Sequence, residues 1–152
     1  MPYIIVPLIT LATALIGGQF TATGVNSWYQ RINKPTWTPP GSVIGLVWTI
    51  LYILIAISAI RAWNATAGTA RFWPIMITFL INAVLNAGWS YLFFTRQSIS
   101  GAFLEMLVLE LSIFVLIGLL WPIDRIAAYL LIPYAAWVGF ATFLTYRIWQ
   151  LN

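Results

Sequence analysis

The sequence predicts an all-α membrane protein, a five-transmembrane-helix bundle with a structured first loop, forming one domain over residues 1–152. Three observations carry this expectation. The chain is 62% hydrophobic and only 7% charged, where a soluble domain spends about a quarter of its residues on charge. Residues 1–30, 35–60, 72–95 and 126–146 contain no charge at all, and each stretch holds the roughly 20 apolar residues that cross a bilayer's hydrocarbon core. A fifth stretch, 99–121, is equally long and carries Glu105 and Glu110. Helices are therefore expected at about 3–23, 43–63, 71–94, 99–121 and 126–149, in an up-and-down order.

No Lys or Arg precedes the first apolar run, and Thr21-Ala22-Thr23 is a poor cleavage site, so this run is expected to remain as a helix rather than act as a signal peptide. Thr10, Ala14, Gly17, Thr21 and Gly24 share one stripe of it, with Ala14, Gly18 and Ala22 beside them. Small residues four apart let helix backbones approach closely, either within one bundle or between two copies of the chain. The one long connection, about 24–42, contains Lys34-Pro35-Thr36-Trp37-Thr38-Pro39-Pro40-Gly41. Each proline fixes its own φ and pushes the preceding residue out of the α region, so this segment is not helical. Ser42 is the expected N-cap of the second span. Trp28, Trp37 and Trp48 bracket the loop. They read either as interface anchors or, the favoured reading, as an aromatic surface that faces a ligand.

The second span presents Trp48 and Tyr52 four residues apart, and Asn64–Thr69 forms a polar turn after it. In the third span Asn82, Asn86 and Trp89 recur at i, i+4 and i+7, one helix face. Carboxamides in hydrocarbon are costly unless paired, so that face points into the bundle, as glue between helices, as ligand contacts, or as both. Ala83 and Ala87, with Gly88 adjacent, make a second small-residue stripe. After the turn Thr95–Ser98, the fourth span carries Glu105 and Glu110. Five residues apart, they lie about 140° from each other around the axis and form no carboxylate dyad. An acid at this depth either marks a functional site or is a neutral or hydrogen-bonded acid inside the bundle or at a subunit contact, and the second reading is favoured. The turn Pro122–Arg125 leads to the fifth span, where Pro133 is expected to kink the helix just before the stripe Tyr134, Trp137 and Ala141.

Cysteine and histidine are both absent, which excludes disulfides, thiol chemistry and the usual zinc and haem axial ligands. No Ser/His/Asp set or phosphate loop is present, so conventional hydrolytic or metal catalysis has no equipment. A net charge of +4 spread this thinly makes no nucleic-acid footprint. Arg61, Arg71 and Arg125 fall on one side of the membrane and Arg31, Lys34, Arg96 and Arg147 on the other, too even a balance to orient the bundle.

Taken in order, these residues resemble the tryptophan-rich sensory protein/translocator protein family (TspO/MBR, also called the peripheral-type benzodiazepine receptor family). The resemblance rests on Trp28-Tyr29, on Lys34-Pro35-x-Trp37-x-Pro39-Pro40-Gly41, on Trp48-x-x-Leu51-Tyr52 and on Asn82-x-x-x-Asn86-x-x-Trp89-Ser90. It continues through Leu131-Ile132-Pro133-Tyr134-x-x-Trp137-x-x-Phe140-Ala141 to Trp149-Gln150-Leu151-Asn152, nearly end to end. It implies a five-helix bundle, commonly dimeric, that binds porphyrins and related tetrapyrroles, sterols and benzodiazepine-type ligands under the first loop. The positions matching that pocket are Trp28, Tyr29, Trp37, Trp48, Tyr52, Asn82, Asn86, Trp89, Ser90, Trp137 and Ala141. The forward sterol motif of the animal members is not matched, because Leu144-Thr145-Tyr146-Arg147 leaves no residue between Tyr146 and Arg147. The reversed motif fits Arg125, Tyr129 and Leu131.

The function expected on this basis is that of a sensor, scavenger or transporter binding porphyrin (protoporphyrin or haem) in a Trp/Asn-lined pocket, with no cofactor required. Alternatives are an enzyme that degrades porphyrin with light and oxygen, and a structural or interaction protein of the membrane. The expected partners are a tetrapyrrole or other hydrophobic small molecule, membrane lipid, and a second copy joined through the small-residue stripes. A bacterial membrane is expected rather than the mitochondrial outer membrane.

Overall fold

A computed structural model describes all residues, Met1–Asn152. The chain is entirely helical apart from its connections, with α1 Pro2–Ala22, α2 Trp28–Arg31, α3 Gly41–Thr66, α4 Phe72–Ser90, α5 Ile99–Leu120, α6 Arg125–Leu130 and α7 Ile132–Leu151. Five units are long and apolar enough to cross a membrane: α1, α3, α4 with its extension to Thr95, α5, and α6 with α7. These are the five spans expected, longer at several ends than the charge-free intervals suggested.

The boundaries follow from local chemistry. Pro40, at φ −59° and ψ 149°, closes the loop, and α3 begins at the next residue with no side-chain cap. Ser42, expected as the cap, lies instead inside the first turn, because a helix can start as soon as the last proline is passed. Residues Tyr91–Thr95 continue α4 as one π-helical turn. Gln97 then takes φ 55° to reverse the chain, and the Ser98 hydroxyl accepts from the Gly101 N–H to start α5. Asp124 caps α6, its carboxylate accepting from the N–H groups of Ile126 and Ala127 at 3.0 and 3.2 Å. The fifth span breaks at Leu131, where α7 starts with Pro133 in its first turn. Having no N–H, that proline removes one helical hydrogen bond, which accounts for the break between α6 and α7.

The spans close into a ring. α1 packs on α3 and α4, α4 on α5, α5 on α7, and α6 returns to α3. Leu109, Ile113, Leu116 and Leu120 of α5 pack with Ala127, Ala128 and Leu131, all fully buried, and fill the end of the ring opposite the first loop. There Arg61 and Asp124 form an ion pair at 3.0 Å, and the Asn64 amide donates to the Tyr3 hydroxyl. α3 packs on α6 far more extensively than on α7. The second and fifth spans therefore meet at that end and part toward the first loop. Outward residues such as Leu8, Leu15, Ile53, Leu111 and Phe143 are exposed, as a lipid-facing surface requires.

The small-residue stripes are partly consumed inside the ring. A Cβ on Gly17 would lie 3.8 Å from the Ser90 hydroxyl and 4.0 Å from the Ala87 Cα. One on Gly24 would lie 2.5 Å from the Phe94 carbonyl oxygen, so only glycine permits that approach. Gly18, on the neighbouring stripe, is exposed with nothing within 4 Å of a Cβ position.

Candidate functional site

Where α3 and α7 part, a cavity of about 500 Å³ opens beneath the first loop. α1 contributes small residues, Gly17 and Gly18 among them, which leave room that larger side chains would fill. α3 contributes Trp48 and Tyr52, α4 Trp89 and Ser90, and α7 Trp137, Phe140 and Ala141, while Tyr29 enters from the loop. Trp48 and Trp89 lie nearly parallel, with ring centroids 6.1 Å apart and planes at 21°. Trp137 and Phe140 flank another wall with centroids 5.4 Å apart. The Trp137 Nε1 is buried without a hydrogen-bond partner. The π-helical turn inserts one residue into the helical register, and it brings Phe93 and Phe94 to the cavity, their rings 4.8 Å apart.

Beneath these rings runs one continuous line of hydrogen bonds. The Tyr52 hydroxyl donates to Asn86 Oδ1 at 2.9 Å, and Asn86 Nδ2 donates to the Tyr134 hydroxyl at 2.7 Å. Tyr134 donates to Asn82 Oδ1 at 3.1 Å, and Asn82 Nδ2 donates to Ser112 Oγ at 2.9 Å. Ser112 ends the line on the Leu109 carbonyl. Four spans are tied together, and every hydroxyl and carboxamide in the line has a partner, which is what a polar group in hydrocarbon requires.

Of the sequence-predicted site residues, Tyr29, Trp48, Tyr52, Trp89, Ser90, Trp137 and Ala141 line the cavity. Asn82 and Asn86 sit below it in the hydrogen-bonded line, acting as glue between helices. Trp28 packs edge-on against Phe93 at 5.3 Å, behind the cavity wall. Trp37 is 44% exposed. It stacks on Phe143 at 5.7 Å and tilts over Phe140 at 5.8 Å, one ring removed from the interior. Phe93, Phe94 and Met106 also line the cavity and were not singled out from sequence. Phe140, which belongs to the motif of the fifth span, lines it without having been placed among the pocket residues. Phe140 follows Trp137 by three residues and was within reach of the helical pattern. The π turn hides Phe93 and Phe94 from any regular period.

The loop is fastened on both sides of the cavity. The Asn33 N–H donates to Asn152 Oδ1 at 3.0 Å, and Asn152 Nδ2 donates back to the Asn33 carbonyl at 2.8 Å. Across the mouth the Thr23 and Thr95 hydroxyls pair at 2.7 Å. Lys34 Nζ donates to the Tyr29 carbonyl at 2.6 Å and lies 4.5 Å from the centre of the Tyr29 ring. Burial raises the pKa of the Tyr29 hydroxyl. Arg31 is exposed at this end. Glu105 and Glu110 face different neighbours: the Glu105 carboxyl sits over Gly88 of α4, and that of Glu110 faces Gly139 of α7. Both Glu105 oxygens are buried without partners.

The family model described as TspO/MBR family matches residues 4–150. The chain is 41% identical over 127 residues to the uncharacterised membrane protein YtaB of Bacillus subtilis (strain 168), covering 82% of this chain and 80% of that one. It is 35% identical to the tryptophan-rich protein TspO of Bacillus cereus over 127 residues, 83% and 81% of the two chains. To the protein CrtK of Rhodobacter capsulatus it is 32% identical over 149 residues, 93% and 89% of the two.

Proposed function

The chain belongs to the TspO/MBR family of integral, multi-pass membrane proteins, and from this premise we propose that its cavity binds a porphyrin or related tetrapyrrole. The convergence of Trp48, Trp89 and Trp137 around one cavity under the first loop is the observation that carries this reading. A volume of about 500 Å³ falls inside the roughly 300–1,000 Å³ usual for small-molecule sites. The flat indoles offer stacking faces to a macrocycle. Arg31 at the mouth supplies the cation for a carboxylate-bearing edge, because Lys34 is already committed to backbone carbonyls. In this reading the protein is a sensor, scavenger or transporter that takes an amphipathic ligand at the membrane surface, and it functions as a homodimer through the exposed side of α1.

Titration of tryptophan fluorescence with protoporphyrin in nanodiscs tests the proposal. Saturable quenching is expected in wild type, weakened in Trp48→Ala and Trp137→Ala. Equal affinity in all three proteins contradicts it. A second reading, oxidative breakdown of the porphyrin under light and oxygen, is favoured by the near-parallel Trp48–Trp89 pair beside the cavity. Spectra of the bound porphyrin followed in light and in darkness separate the two: loss of the porphyrin bands only under light, and only with the tryptophans present, supports breakdown.

A further inference from the structure

A second cavity, about 210 Å³, lies in the half of the bundle away from the first loop, between α1, α3 and α4. Its origin is in the packing of α1 on α4. Near the loop these helices touch through Gly17 and Ala87, with a Cβ on Gly17 only 4.0 Å from the Ala87 Cα. Toward the other end the small residues give way to Ile5, Ile9, Ile77 and Leu80, which line the cavity between the two helices. The Asn64–Tyr3 hydrogen bond holds α1 to α3 at that end, so the gap is directed between α1 and α4. Ile9, Ile77 and Leu80 are 42%, 50% and 52% exposed and form its rim. Ile55 and Ala59 of α3 form its back wall, and Ala59 is only 6% exposed.

Every hydroxyl and carboxamide in this wall is already satisfied. Thr10 and Thr13 donate to the carbonyls of Val6 and Ile9 at 2.8 Å each, and Tyr52, Asn82 and Asn86 belong to the hydrogen-bonded line described above. The wall therefore offers a polar ligand no free hydroxyl or carboxamide and carries a desolvation cost for one. It runs from Ile5 to Thr13 on α1, about 12 Å of helix at 1.5 Å per residue, an elongated shape. At its outer end stand Trp73, 68% exposed, and, two residues earlier, Arg71, exposed. Trp and Arg at such a position are the groups that meet lipid headgroups.

We propose that this cleft is a binding site for one acyl chain of a membrane phospholipid, with the anionic headgroup beside Arg71 and Trp73. The cleft opens into the bilayer core, where water is excluded and hydrocarbon is the surrounding solvent. Apolar walls gain dispersion contacts when such a chain fills them. Tyr52 lines both this cleft and the larger cavity, so the chain rests against the far side of the same ring. The proposal rests on the membrane placement and not on the porphyrin reading.

Photolabelling tests it. The protein is placed in nanodiscs of phosphatidylglycerol bearing a diazirine on one acyl chain, irradiated, and mapped by peptide mass spectrometry. Adducts are expected on Ala59, which is only 6% exposed and which lipids on the outer surface do not touch, and on the half-buried Ile55. Ala83→Phe, which places a ring in the cleft, is expected to abolish the Ala59 adducts. Ile81→Phe, at an outward position of α4 that is 52% exposed, is expected to leave them unchanged. The wild-type pattern stands without either variant. Adducts confined to outward residues, or Ala59 labelling unaffected by Ala83→Phe, overturn the proposal. So do crosslinks joining Ile77 or Leu80 of two copies in place of lipid adducts, since a second copy would then occupy the cleft mouth.

Discussion

Tyr134 is fully buried, and its one hydroxyl serves two carboxamides, accepting from Asn86 and donating to Asn82. In Tyr134→Phe one donor and one acceptor lose their partner at once. An unsatisfied buried group costs about 1–3 kcal/mol in water-soluble proteins, while interhelical hydrogen bonds in membranes average about 0.6 kcal/mol because the unfolded state finds other partners. The variant is therefore expected to lose about 0.6–3 kcal/mol of stability in a detergent-unfolding titration, and an unchanged midpoint would show the line of hydrogen bonds to be incidental. Trp48 and Trp137 are proposed to act on the ligand instead. Removing a stacking face worth about 0.5–1.5 kcal/mol beyond area is expected to weaken protoporphyrin binding by roughly 2- to 13-fold or more, with helicity by circular dichroism unchanged. At this scale the sequence was readable wherever a residue type had few options. Helical spacing set Trp48, Trp89 and Trp137 each on a face of its own span that also carries Tyr or Asn, and the family resemblance grouped the three faces in one pocket. The partners of Asn82 and Asn86 were not readable, because Tyr134 and Ser112 lie on other helices whose rotation no local pattern specifies.

Each element owes its ends to a few residues, and two of them give sharp tests. Asp124 caps α6 and pairs with Arg61. Burial acts to raise its carboxyl, but the Arg61 guanidinium and the N–H groups of Ala127 and Ile126 outweigh this and hold its pKa below the usual carboxylate value. A carboxyl whose folded pKa is lowered contributes stability that is fully present above its unfolded pKa of about 3.9 and is lost as pH falls through the lower folded value. Wild type is therefore expected to lose stability over that acid window, and Asp124→Asn to lack this component while being less stable at neutral pH. Parallel pH profiles for the two proteins would contradict the assignment. The first loop is held by Trp37 on Phe140 and Phe143 and by the Asn33–Asn152 pair, while Pro39 and Pro40 limit its freedom when it is released. Replacing both prolines by glycine loosens the unfolded loop by about 0.4–1 kcal/mol per site. Stopped-flow measurements are expected to show ligand dissociation several-fold faster with association little changed. An unchanged off-rate with native helicity would reduce the segment to an interface anchor. Four of the five spans were legible because charge is costly in hydrocarbon and so punctuates the chain, and α5, which carries Glu105 and Glu110, was legible from its length and apolar composition. The π turn at Tyr91–Thr95 was not, because no Gly or Pro or other breaker in Tyr91–Thr95 marks it in the sequence.

The whole molecule is a ring that closes tightly at the Arg61–Asp124 end and opens at the loop end because α3 and α7 part there. Neighbour order around a ring depends on long-range packing, so sequence supplied the helices without their order. The cavity was foreseen through the family resemblance, as a pocket under the first loop. Assembly has its own test. Gly17 is spent on contact with α4, whereas Gly18 is exposed with open space before it and also borders the cavity. Gly18→Leu is expected to reduce dimer crosslinking in bilayers while keeping the helical content. Leu15→Trp, at an outward position of α1 that is 60% exposed and lines neither cavity, is expected to do the same; unaltered crosslinking in both would move the proposed contact off α1. The central claim, that the aromatic cavity beneath the first loop is the ligand site, is met most directly by a crystal structure of the protein with protoporphyrin grown from lipid. The macrocycle is expected between the Trp48–Trp89 pair and Trp137, with a carboxylate edge toward Arg31. A macrocycle seated in the α1–α4 cleft or on the lipid-facing surface, with that cavity unfilled, would contradict it.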